Sequence, residues 1–99
     1  MVLEIADFTV KPGTEDEFAA AVREGLPLVA ATPGFLGARL TRGVESPSRF
    51  VLLIEWESVD AHNTGFRESD RFPQWRALIG HFFDGDPRVE HADEVLRSS

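Results

Sequence analysis

Residues 35–58 read FLGARLTRGVESPSRFVLLIEWES, and this stretch decides the fold. Two runs rich in strand formers, 35–45 and 49–58, flank Ser46-Pro47-Ser48, a turn-forming triplet. The segment is expected to double back as a β-hairpin. In the second run Phe50, Leu52, Ile54 and Trp56 fall on one face. Val51 and Leu53 fall on the other, before Glu55 and Glu57 turn that face polar.

Working outward, residues 2–10 (VLEIADFTV) alternate as a strand, and KPGT follows as a turn. Thr14 with Glu17 three residues later fits a capping box. The helix it opens has an apolar stripe of Phe18, Ala21, Val22, Leu26 and Val29. Pro27 removes a backbone donor and is expected to kink this helix or end it early. Downstream, Ser58 can cap a short helix running to about Phe66. Ser69 with Asp70 can cap another, striped by Phe72, Trp75, Leu78 and Ile79. DGDP breaks it, residues 88–96 form a last strand, and 97–99 a frayed tail.

The order β-α-β-β-α-β predicts a single α+β domain over residues 1–99. It is the order of a ferredoxin-like sandwich, with a four-stranded antiparallel sheet and both helices on one face. The uncovered face keeps Val51 and Leu53, and apolar surface left wet costs roughly 25 cal/mol per Å². A homodimer with sheet packed on sheet is therefore expected.

Composition narrows the function classes. The formal net charge is −7, with no Lys/Arg cluster, which argues against nucleic acid and anionic membrane as partners. There is no cysteine, so disulfides and thiolate chemistry are excluded. No apolar run approaches the roughly 18 residues of a membrane span, and MVLEIADF lacks the pattern of a secretion signal. A cytoplasmic location is expected. With eight Phe, two Trp and no Tyr, the core is bulky and poor in hydroxyls.

Six pieces then form a recognisable series: PG before the first helix, PGFLGARL, RFVLLIEWES, DAH, FRESDRFPQW and PRVEH. In this order the chain resembles the antibiotic biosynthesis monooxygenase domain family, whose members are dimeric α/β barrels. The resemblance implies a ligand cavity between sheet and helices. It also implies oxygenation of a small hydrophobic aromatic, polyketide-like or quinol molecule without metal or flavin. Other members of the superfamily degrade haem, isomerise lactones or cyclise polyketides, so a non-redox ligand-binding, cyclase or accessory role is the alternative.

Oxygenation without a cofactor needs a dry cavity, a positioned base and groups that stabilise a substrate anion. His62 is the candidate catalytic residue because an imidazole titrates near neutrality, and it lies one helical turn before Phe66. Packing or capping is its structural alternative. Trp56, Phe66, Phe72 and Trp75 are candidate pocket walls, Arg76 a partner for a substrate anion, and His91 a cavity or interface residue. Phe66 stands where many relatives carry a polar or indole side chain, and a phenyl ring transfers no proton. Positions that serve haem degradation in relatives align with Ala6, Phe66 and Arg76, which depart from that pattern. His62, His81 and His91 lack ligand-like spacing, so no metal site is expected. His81 is read as a helix-end residue. Asp7 would be a base only if it faced inward; an outward, solvated Asp7 is the preferred reading.

Overall fold

The computed structural model describes residues 1–99. Its elements are β1 (Val2–Thr9), α1 (Glu15–Ala30), β2 (Phe35–Arg42), β3 (Arg49–Trp56), a π-helical segment (Ala61–Phe66), α2 (Arg71–Ile79), a 3-10 turn (Gly80–Phe82) and β4 (Arg88–Ala92). The strands form one antiparallel sheet in the order β2-β3-β1-β4. This is the expected ferredoxin-like arrangement. No helix is long and apolar enough to cross a membrane.

Alternation sorts the side chains. Ala6, Phe8, Phe50, Leu52, Ile54 and Trp56 are buried on one face and join Phe18, Val22 and Val29 of α1 in a common core. Phe18 lies at the centre, with ring centroids 5.6 Å from Phe8 and 4.9 Å from Phe50. On the opposite face Leu3, Ile5, Val51 and Leu53 are half-buried. That face carries a recess of about 660 Å³, bordered by Leu3, Arg39, Leu53 and Glu55.

Several local expectations change. The strands end sooner than the hydrophobic runs do: β2 at Arg42, β3 at Trp56 and β4 at Ala92. A bulge between Phe35 and Gly37 also pushes Leu36 outward, where it is 49% exposed. The capping box does not form, because Thr14 Oγ1 donates to the Lys11 carbonyl at 2.6 Å. Glu15, not Glu17, takes up a local backbone donor, the Gly13 N–H at 2.9 Å. Pro27 lies inside α1, which runs on to Ala30. Only one intrahelical bond is forfeited so close to the end, and the Pro27 carbonyl still accepts from the Ala31 N–H at 3.1 Å.

Two contacts set the helix layer over the sheet. Gly25 of α1 faces the Trp75 ring: a Cβ there would lie 2.7 Å from Trp75 Cε3, so only hydrogen fits. Arg71 donates from Nε to the Leu28 carbonyl at 3.1 Å and from a terminal nitrogen to Thr32 Oγ1 at 2.9 Å. It thereby ties the end of α1 to the start of α2.

Candidate active site

Between the helices and the sheet lies a cavity of about 390 Å³, within the roughly 300–1,000 Å³ range of small-molecule sites. Ala6, Leu52 and Ile54 of the sheet form its floor. Phe66, Phe72, Trp75 and Ile79 form the roof, while Arg67, Arg76, Asp86 and Val89 edge the opening. Each arginine lies over an aromatic ring, Arg67 at 5.5 Å from the Phe72 centroid and Arg76 at 5.6 Å from that of Phe83.

The turn from sheet to helices brings His62 inside. Ser58 caps it by accepting the Ala61 N–H at 3.1 Å. The segment then widens: the Arg67 N–H bonds to the His62 carbonyl at 2.9 Å, five residues back. His62 is 3% exposed and Phe66 likewise 3% exposed. Both rings stack on Trp56, at centroid separations of 5.3 and 6.3 Å. Trp56 is wholly buried beneath them, one layer behind the cavity wall.

A residue outside the sequence candidates completes the site. Glu4 of β1 is 6% exposed and points to the helix side. Its Oε1 accepts from Trp56 Nε1 at 2.9 Å and lies 3.3 Å from His62 Nε2. The other nitrogen of His62, Nδ1, is 2.8 Å from His91 Nε2 on β4. The sheet register explains the meeting, since Glu4 and His91 are direct cross-strand partners. His91 thus lies behind His62 and away from the cavity lining, on the edge strand. The signal for Glu4 was the alternation itself: counting by twes from Glu4 gives Ala6, Phe8 and Val10, all buried.

Burial dominates the electrostatics. It raises the Glu4 pKa to about 7, against the lowering pull of the Trp56 hydrogen bond and the Arg67 charge. Burial also lowers the His62 pKa to about 4, helped by the charges of His91 and Arg67. Their close approach alone would favour a carboxylate–imidazolium pair, yet the desolvation of both outweighs it, and the pair is neutral between about pH 4 and 7. His62 touches Glu4 through Nε2 and His91 through Nδ1. No group of three or more His, Asp or Glu converges in a way that could hold a metal ion.

The remaining candidates are placed as follows. Asp7 faces outward and pairs with Arg49 at 2.8 Å, which holds its carboxyl below the usual range. His81 is exposed beyond α2, its ring 4.1 Å from that of Phe82. Ala6, Phe66 and Arg76 all border the cavity and bring no amide, indole or imidazole to it.

A four-stranded sheet roofed by two helices, with a carboxyl–imidazole pair in an aromatic chamber between them, is an arrangement of the ferredoxin-like class. Residues 1–78 match the family model of antibiotic biosynthesis monooxygenases. The uncharacterized protein YczJ of Bacillus subtilis (strain 168) is 36% identical over 95 residues, covering 96% of this chain and 100% of that one. A solved member from Bordetella bronchiseptica is 41% identical with a TM-score of 0.93, over 96% of this chain and 97% of that one. SnoaB of Streptomyces nogalater, 21% identical over 99% of this chain and 94% of that one, shares the fold with a TM-score of 0.76. The chain belongs to the antibiotic biosynthesis monooxygenase family.

Proposed function

We propose that this protein is a cofactor-independent monooxygenase acting on a small hydrophobic aromatic, polyketide-like or quinol substrate. The observation that carries the reading is the Glu4 carboxyl, held near neutrality at the wall of an aromatic chamber. In the same fold SnoaB is a cofactor-independent oxygenase, which supports the assignment. Glu4 takes the acidic proton of the bound substrate, and His62 and Trp56 orient the carboxyl. The substrate anion gives one electron to dioxygen, and the two radicals combine to form a carbon–oxygen bond. Cleavage of the O–O bond releases water and leaves a carbonyl, so methylene plus dioxygen becomes ketone plus water. Phe66, Phe72 and Trp75 hold the rings of the substrate, and Arg76 at the opening offers a charge to its oxygen.

A second reading rests on Phe66. This buried ring fronts the cavity and can neither take nor give a proton there. The same Glu4-generated anion could then close a ring by carbon–carbon bond formation, as in a polyketide cyclase. Oxygen-electrode traces with anthrone-like and naphthoquinol-like compounds in metal-free buffer separate the two. Stoichiometric uptake that disappears in Glu4→Gln supports the oxygenase. Product formed equally well under anaerobic conditions favours the cyclase.

We further propose that the functional unit is a homodimer closed through the half-buried sheet face, whose recess borders Leu3 and Leu53.

A further inference from the structure

The carboxyl that faces the cavity touches His62, which in turn touches His91 on the edge strand. Glu4 Oε2 has no hydrogen-bond partner. The same is true of His91 Nδ1, since the one hydrogen bond of that ring is between its Nε2 and His62 Nδ1. Neither atom is sealed in, because Asn63 Oδ1 is the single buried side-chain polar atom without a partner. Oε2 therefore opens onto the cavity that Glu4 lines, and His91 Nδ1 onto water beside β4. Between them run two short contacts, 3.3 Å from Glu4 to His62 and 2.8 Å from His62 to His91.

We infer that Glu4, His62 and His91 form a proton relay that carries a proton from the cavity to solvent by exchanging the tautomers of both imidazoles. A proton taken at Oε2 comes beside His62 Nε2 when the carboxyl turns over, since Oε1 is the oxygen on that side, and the transfer then balances. With Glu4 protonated, its O–H donates to His62 Nε2, His62 Nδ1–H donates to His91 Nε2, and His91 keeps its other proton on Nδ1. Transfer moves the carboxyl proton to His62 Nε2 and the His62 Nδ1 proton to His91 Nε2. The proton on His91 Nδ1 leaves to water. Glu4 is then a carboxylate accepting from both His62 and Trp56, and neither ring has become a cation on the way.

The charged groups around the relay are few. Arg67 lies near enough to influence both Glu4 and His62. Arg76 and Asp86 stand at the opening of the same cavity, and Trp56 contributes only a neutral donor. His91 is here a relay residue, not one that touches substrate. The inference gives the base of the proposed reaction an exit for its proton, and in that sense rests on that reading. Its test uses no substrate, so the two can fail separately.

Ring ¹⁵N shifts of histidine-labelled protein, followed by NMR across about pH 5 to 9, report the tautomer of each imidazole. His62 should pass from Nδ1–H to Nε2–H, and His91 with it, at one shared midpoint near 7, where Glu4 titrates. In Glu4→Gln the exchange should vanish, because the amide keeps an acceptor for Trp56 but has no proton to release. In His91→Phe the change in His62 should lose its partner at Nδ1, and the midpoint should move. Rings that hold their tautomers throughout, or exchange them at unrelated midpoints in the native protein, would overturn the relay even if a variant failed to fold.

Discussion

Glu4 binds its proton more tightly in the folded chain than in the unfolded one, and this sets the sign of two measurements. Between about 4.5 and 7 the unfolded carboxyl has ionised while the folded one has not, so stability falls as pH rises and the loss is complete above 7. His62 works in the opposite sense. Its folded pKa of about 4 lies below the ordinary 6.5, so stability rises as pH climbs through that interval. The two nearly cancel in mildly acidic solution. Glu4→Gln should remove the alkaline loss alone, gaining up to about 3 kcal/mol over the native chain above pH 7 in urea titrations. Its oxygen uptake should meanwhile fall about 100- to 10,000-fold. Trp56→Phe deletes a hydrogen bond that lowers the Glu4 pKa, so the rising limb of the pH–rate curve should move to higher pH. An unmoved limb would assign that limb to another group. The alternation of β1 made Glu4 accessible to sequence reading. The approach of His91 was not accessible, because β4 pairs with β1 from the far end of the chain and no local pattern sets that register.

At the level of elements, α1 and α2 touch where Gly25 meets Trp75. Gly25→Ala would gain about 0.5–1 kcal/mol in helix preference but must displace a ring that roofs the cavity. Overpacking of this kind costs about 1–3 kcal/mol, so a net loss of stability is expected by thermal melting. Ligand affinity should drop as well, because Trp75 moves into the space it now borders. The hairpin of β2 and β3 was legible because strong strand formers flank a turn triplet. The apolar stripe of α1 was legible too, except that Gly25 belongs to it for a reason found only on the facing helix. The wide turn at 61–66 left no trace in residue spacing, since His62 and Phe66 would share a face in an ordinary helix as well. Pro27 misled in the other direction: a proline signals a boundary by its chemistry, but near a helix end that chemistry has little left to break.

For the whole molecule, the proposed dimer is the decisive expectation. Leu53→Asp would place a carboxylate at the recess on the half-buried sheet face. Sedimentation should then report single chains where the native protein sediments as pairs. A native protein that already sediments singly would remove the dimer. The sheet order and the helix layer followed from the succession of strands and helices, whereas the chamber between them depends on ring orientations that no succession encodes. β1 carries Glu4 and Ala6 toward that chamber and Leu3 and Ile5 toward the opposite surface. One backbone therefore serves both sides, and whatever steadies its outward residues also steadies the carboxyl between them. Turnover per chain should consequently decline on dilution, at concentrations where partners separate but each chain stays folded.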